Sequence, residues 1–249
     1  MQKINNKNYK ASIFQFESFF HLDFLIDSIS SSYDDNKNLS KILNIIDEYS
    51  LNHIDIIHYN TNPTLIPFKY YDENIKNKYL ETNTNIKNKI YEDISYDKKI
   101  AVVYSMNNCL AKVFNINDVV FKHTNYFTRL YNYLLGTLKN LDGFSFFINL
   151  SSKTFEIIIF NKTEFLFFNS FEINDENEFL YYTFFVLKNF QSSYKKDKII
   201  FLGKYEKFQK FYNHACKYCE IEFIENDIHS LINFKKHSFS ILNENNIRD

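Results

Sequence analysis

The sequence predicts an α/β protein of two lobes, each a mixed sheet covered by helices. Three observations point there. Residues 144 to 171 carry three apolar segments, Phe144–Ile148, Phe155–Phe160 and Phe165–Phe171, split by short polar turns and followed by a helix start. Strands then alternate with helices, as mixed sheets with helical covers require. The same order of elements, with no residue-level repeat, can be written for the residues before Asn140.

Taken in order, Ala11–Glu17 alternates through Ile13, Phe14 and Phe16 and reads as a strand, with His21–Asp27 as its hairpin partner. Leu39, Ile42, Leu43, Ile46 and Leu51 recur with a helical period. Ile54–Tyr59 is a short apolar strand, and Asp72 caps a helix over Asp72–Leu80. Ile100–Tyr104 is a β-branched strand, Asn107–Phe114 a short helix, Val119–Lys122 a strand and Tyr126–Leu138 a helix. The Asp142-Gly143 pair is a strong turn signal, which sets the lobes at residues 1–141 and 142–249. In the second lobe Asp175 and Glu178 form a capping box after the meander. The helix that follows carries Phe179, Val186, Leu187 and Phe190 on one stripe and Tyr182 and Phe185 on the other, so both faces are expected to be covered. Ile199–Leu202 and Ile221–Ile224 are strands around a helix at Glu206–Cys216, and Ile228–Leu242 is partly helical. A three-strand antiparallel meander feeding a helix opens a ribonuclease-H-like half, and two such halves make the actin-like ATPase architecture, with five-stranded mixed sheets.

Composition agrees with a folded chain. Of the 249 residues 45% are apolar and 24% charged, and 28 Phe with 19 Tyr supply ample core material. Lys plus Arg number 29 against 30 for Asp plus Glu, so no clustered basic excess marks a nucleic-acid partner. The Lys195-Lys196-Asp197-Lys198 run is short and reads as a solvated loop. The first residues, MQKINNKNYKASIF, hold no apolar h-region, and no stretch approaches the ~18 apolar residues of a membrane span. Three cysteines without framework spacing suit a reducing compartment, so a cytoplasmic protein with no membrane insertion is expected.

Three stretches carry a family resemblance: Thr64–Leu80, Phe121–Leu135 with its Phe121-Lys122-His123, and Phe165–Phe185 with the Asn169-x-Phe171 step before an acidic, Tyr-rich helix, followed by Ile199–Gly203. Together they resemble DUF3822, a bacterial family of uncharacterised proteins with an actin-like ATPase fold. The resemblance implies the fold and no activity. A more distant similarity links the fold to actin-like scaffold proteins of pilus and secretion assemblies.

Nucleotide binding is the first chemistry to weigh. In actin-like ATPases an Asp ends the first strand and holds magnesium-bound water, and glycines after it let backbone N–H groups approach the phosphates. Here Asn149 ends the matching strand, with Ser151, Ser152 and Lys153 where the glycines would stand. The turn after Leu202 has Gly203 and then Lys204, where two adjacent glycines are usual, and Glu17-Ser18-Phe19 in the first lobe has none. Asn149, Ser151, Ser152, Lys153, Gly203 and Lys204 therefore outline a degenerate nucleotide cleft. The expectation is a protein with no catalytic residue, metal or cofactor, a binding or scaffold protein that engages another protein as monomer or homodimer. An ATP-binding switch or weak ATPase using magnesium and the inter-lobe cleft is the alternative.

Other constellations are weaker. Cys216-Lys217-Tyr218-Cys219 with His214 suggests half of a zinc site, but no second Cys pair exists and Cys109 is the only other thiol, so Cys216 at a helix end reads rather as a small apolar core residue. His53, His58, His123, His214, His229 and His237 are scattered, with His123 in the ordinary place of a structural histidine. No Gly-x-Ser-x-Gly elbow supports a Ser–His–acid triad. Glu172, Asp175, Glu176 and Glu178 cluster, as helix capping and the helix dipole explain. Tyr126, Phe127, Tyr131 and Tyr133 lie on both sides of one helix, which suits burial between two layers or a partner-facing patch.

Overall fold

The computed structural model describes residues 11–15, 19–24, 27–32, 36–59, 63–81, 89–105, 119–138, 143–150, 154–190, 198–204 and 206–224. Two compact units divide the chain, Met1–Asn132 and Tyr133–Asp249.

In the first unit β1 (Ala11–Gln15), β2 (Phe19–Phe24) and β3 (Asp27–Ser32) form an antiparallel meander. Helix α1 (Asn36–Glu48) follows, and β4 (His53–His58) pairs parallel with β1. Alternation on β4 turns Ile54 and Ile56 to one face, where they pack with Ala11, Ile13, Ile42, Ile46 and Leu51. The chain then leaves this sheet. Strand β5 (Thr64–Pro67), two 3-10 turns, helix α2 (Lys76–Glu81), β6 (Ile90–Ile94) and β7 (Ile100–Ser105) build a separate antiparallel sheet in the order β5-β7-β6. Asp72 caps the turn before α2 by accepting from the Asn74 N–H at 2.9 Å. Strand β8 (Val120–Asn125) returns to the first sheet, parallel to β4, and closes the order β3-β2-β1-β4-β8. Helix α3 (Tyr126–Thr137) follows.

The second unit repeats that order. Strands β9 (Phe144–Leu150), β10 (Thr154–Asn161) and β11 (Glu164–Glu172) are the antiparallel meander. Helix α4 (Glu176–Asn189), β12 (Lys198–Leu202), helix α5 (Gln209–Ala215) and β13 (Ile221–Ile224) complete it in the order β11-β10-β9-β12-β13. Phe146, Ile148, Leu150, Phe155, Ile157 and Ile159 share one face and pack with Phe179, Val186, Leu187 and Tyr212. Phe147, Ile158, Phe160, Ile200 and Leu202 are buried as well, so apolar side chains fill both faces. A bulge between Ile159 and Phe160 sets Leu166 outside the register of the edge strand β11.

Several expectations shift. The first meander has a third strand, Asp27–Ser32, that its Ser-rich sequence concealed. Ile100–Ser105 belongs to the inserted sheet, whose partners Thr64–Pro67 and Ile90–Ile94 carry a proline and a Glu-Asp pair and lack a strand-like pattern. Pro67 is tolerated because β5 is an edge strand. The capping box is offset by one: Asp175 accepts from the Asn177 and Glu178 N–H groups, while Glu178 reaches back to the Asn174 N–H. The helix expected at Asn107–Phe114 and the segment Ile228–Leu242 lie outside the described residues.

Candidate functional site

In open sheets with parallel strands, ligands bind at the carboxyl ends of the strands where the chain changes direction across the sheet. Each five-stranded sheet has one such point, between β9 and β12 in the second unit and between β1 and β4 in the first.

Asn149 and Gly203 stand at the point in the second unit. They follow Ile148 and Phe201, the last register pair of β9 and β12. The fold thus brings these two sequence-predicted residues to the ends of adjacent parallel strands, and Lys204 comes directly after. Asn149 is buried, and its Nδ2 donates to Glu156 Oε2 on the neighbouring strand at 2.8 Å. Gly203 adopts φ 87°, the left-handed region that only glycine enters without strain. Its N–H donates to the Ile224 carbonyl at 3.0 Å, and its carbonyl accepts from the Tyr212 hydroxyl at 3.4 Å. Lys204 is exposed, with Nζ 5.3 Å from the centre of the Phe223 ring. Ser151, Ser152 and Lys153 lie outside the described residues.

In the first unit the corresponding strand end holds a polar cluster that was not singled out from the sequence. His58, the last residue of β4, is 1% exposed. Its Nε2 and His123 Nδ1 are 2.9 Å apart, so one of the two rings donates to the other. The rings stack at 5.2 Å, and Tyr104 and Tyr91 cover His58 at 5.6 and 6.3 Å. Burial, aided by the neighbouring imidazole, lowers the His58 pKa to about 3. Burial and then the charge of Lys89 lower that of His123 to about 4. Both rings are therefore neutral near pH 7, which suits the structural role expected of His123. His58 Nδ1 has no hydrogen-bond partner among the described residues.

Asp93 of β6 ties the inserted sheet to the start of α3. Its Oδ2 accepts from the Asn125 N–H at 2.6 Å and the Thr128 hydroxyl at 2.9 Å, and its Oδ1 accepts from the Tyr104 hydroxyl at 3.3 Å. Asn125 caps α3, its Oδ1 accepting from the Phe127 N–H at 2.8 Å. Burial raises the Asp93 pKa to about 6 despite these donors. Residue Asp55 points to the other face of β4 and pairs with Arg129 of α3, Oδ2 to Nη2, at 3.2 Å. Both are buried, and Asp55 Oδ1 and Arg129 Nη1 have no hydrogen-bond partner among the described residues. His53 Nε2 lies 3.4 Å from Asp55 Oδ1, within ion-pair reach but without hydrogen-bond geometry. The signal in the sequence was the pair of histidines at strand ends, invisible as a pair until β4 and β8 are known to be neighbours.

Both aromatic expectations resolve. Tyr126, Phe127 and Tyr131 of α3 are buried, which leaves the burial reading and removes the partner-facing one for these three. On α4 the expected cover holds for Tyr182, half-buried and stacked on Phe171 at 5.1 Å, and fails for Phe185, which is 53% exposed beside Tyr181 at 65%. Cys216, expected in the core, is exposed, and it is Cys219 that is buried; their thiols donate to the Asn213 and Ala215 carbonyls at 3.4 and 3.2 Å. No group of three or more His, Cys, Asp or Glu side chains among the described residues could hold a metal ion, and no described helix is long and apolar enough to cross a membrane.

Two sheets of one strand order, each a meander continued by parallel strands, define a protein of the actin-like ATPase fold. A Bacteroides thetaiotaomicron protein of that fold and unknown function is similar over 90% of this chain and 96% of its own, at 16% identity and a TM-score of 0.70. A PilM–PilN type IV pilus biogenesis complex is similar over 86% of this chain and 88% of its own, at 10% identity and a TM-score of 0.54. The chain belongs to the family of proteins of unknown function DUF3822, which it matches over residues 18–221. No curated protein matches it in sequence.

Proposed function

We propose that this protein is a non-enzymatic binding or scaffold protein of actin-like fold whose nucleotide site has degenerated. Gly203 carries the reading. It is the one glycine at the carboxyl end of a central strand, and a phosphate-binding turn would need its N–H free. That N–H is held by Ile224 and the carbonyl by Tyr212. Asn149, standing where a magnesium-binding Asp would be, has its amide on Glu156. A partner protein is the ligand class this reading favours, supported by a fold neighbour, the PilM–PilN type IV pilus biogenesis complex. The functional lobes are residues 1–141 and 142–249, because Gly143, at φ 75°, opens β9. The thiols of Cys216 and Cys219, both unpaired, suit the cytoplasm.

One observation favours the alternative of an ATP-binding switch. Glu156 places a carboxylate 2.8 Å from Asn149 Nδ2, and such a group would restore the charge that magnesium requires. Thermal unfolding with and without Mg-ATP separates the two. A ligand at 100 times its dissociation constant adds about 2.7 kcal/mol, which moves the midpoint of a chain this long by several degrees. No shift is expected. A shift that Mg-GTP fails to reproduce and that Glu156→Gln abolishes would overturn the binding-protein reading in favour of the switch.

A further inference from the structure

The exposed face of α4 has a symmetric order of side chains. Glu178, Tyr181, Phe185 and Lys188 follow at spacings of three, four and three residues, which place them along one stripe of the helix. Tyr181 and Phe185 stack on each other with ring centres 6.3 Å apart. Tyr218, 62% exposed, extends the aromatic surface through its edge-on contact with Phe184 at 5.7 Å. The buried side of the same helix, Phe179, Thr183, Val186 and Leu187, already faces the core, so the outer aromatics are not needed there.

We infer that this face is a homodimer seam, occupied by α4 of a second copy of the chain running antiparallel. A two-fold axis between positions 181 and 185 sets Tyr181 against Phe185 of the other copy. The same axis sets Glu178, at the acidic start of the helix, against Lys188 at its end. Order acid, aromatic, aromatic, base, read on an antiparallel helix, is its own complement, as a two-fold contact requires. A different partner would impose no such symmetry on the stripe. The net charge of −1 adds no long-range repulsion between copies. Glu178 Oε2 is engaged by Asn174, and Oε1 is the oxygen offered to Lys188. The dimer does not depend on whether the chain is a scaffold or a switch.

One helix face is smaller than a standard interface, so the dissociation constant falls on the order of 10–100 µM. Sedimentation velocity of the full chain from about 5 µM to about 1 mM reads it across that range. A reversible dimer is expected. Phe185→Ala should weaken it roughly a hundredfold, since each dimer loses two central aromatics. Lys188→Glu, whose side chain makes no capping hydrogen bond, should weaken it roughly fivefold by setting like charges against each other twice. Joining it to Glu178→Lys should restore the association, although Glu178→Lys disturbs the cap. A monomer at about 1 mM, a dimer indifferent to Phe185→Ala, or a double variant no better than Lys188→Glu would each overturn the seam. Circular dichroism of every variant separates loss of association from loss of fold, and the Mg-ATP shift above is read independently of both.

Discussion

At the carboxyl ends of its parallel strands the first unit has His58, His123 and Asn125, while the second has Leu202, Phe223 and Ile224. The strand order is the same in both sheets, so topology alone does not decide what fills this place. The inserted sheet does. Strands β6 and β7 bring Asp93, Tyr91 and Tyr104 to the end of β4, where the tyrosine rings cover the imidazole pair and Asp93 accepts from the Tyr104 hydroxyl and the Asn125 N–H. The second unit has no such insertion among its described residues. Its strand ends are finished by aromatic packing, with Phe201, Tyr212 and Phe223 in mutual contact at 4.9 to 5.7 Å. One fold can thus close the same corner with hydrogen bonds or with rings, and the two solutions should break differently.

The largest effect should come from the apolar unit. Phe179 is fully buried and meets Phe155 at 4.9 Å and Phe211 at 5.4 Å. Phe179→Ala leaves a ring-sized void and should cost about 3–5 kcal/mol. Hydrogen exchange should show lost protection in β9, β10 and β12, with smaller changes in β1 and β4. In the polar unit the matching test is Arg129→Met. It strands the Asp55 carboxylate with its partner gone, at a cost of about 3 kcal/mol. Adding Asp55→Leu should recover most of that loss in chemical denaturation, because the isolated charge goes too. A double variant as unstable as the single would mean that the pair itself, and not the stranded charge, holds the unit.

How legible each unit was follows from the same contrast. In the second, residues 144 to 171 are so uniformly apolar between their turns that all three strands and the helix after them could be read directly. The first unit hid its inserted sheet because β6 reads IYEDI: Glu92 pairs with Lys76 at 2.7 Å and Asp93 faces α3, so two of its five residues are charged for tertiary reasons. Asp27–Ser32 hid because its three consecutive serines carry no apolar alternation. Asn149 and Gly203 could be placed from the sequence because strand ends follow from strand positions. The His58–His123 pair could not, because those residues are 65 apart and meet only once β4 and β8 are neighbours. Exposure of Tyr181 and Phe185 was hidden for a different reason: periodicity tells which residues share a face and not what covers it.

Acid should distinguish the units next. Depressed histidines bind fewer protons folded than unfolded, so their stabilising effect is complete above the unfolded value of 6.5 and is lost as pH falls toward about 3 for His58 and about 4 for His123. Asp93 opposes them. Its pKa is raised from 3.8 to about 6, so it favours folding more at the acid end of that window. Fully buried His58 contributes about 1.4 kcal/mol per pH unit, half-buried Asp93 contributes at most about that, and His123, more open to solvent, contributes less. Between pH 6 and 4, His58 and Asp93 nearly cancel, and wild type should lose stability only gently. Asp93→Asn removes the opposing arm and should steepen the loss by up to about 1.4 kcal/mol per pH unit in denaturant midpoints taken across that range. An unchanged slope would mean that Asp93 is ionised throughout, with its three donors outweighing burial.

The smallest expected difference lies in the two helix caps. Asn125 caps α3 from a buried site, and Asp175 caps α4 from the surface with two N–H groups at 2.8 and 2.9 Å. Asn125→Ala should cost about 1–2 kcal/mol, and Asp175→Ala about 0.5–1. Salt should tell them apart more sharply than size does. Asp175 acts partly as a charge at the positive end of a helix, so its cost should shrink in 1 M salt, where the Debye length falls to about 3 Å. Asn125 is neutral and buried, and its cost should stay. If both costs fell together in salt, the buried cap would be open to solvent, and the polar corner of the first unit would be looser than its hydrogen bonds require.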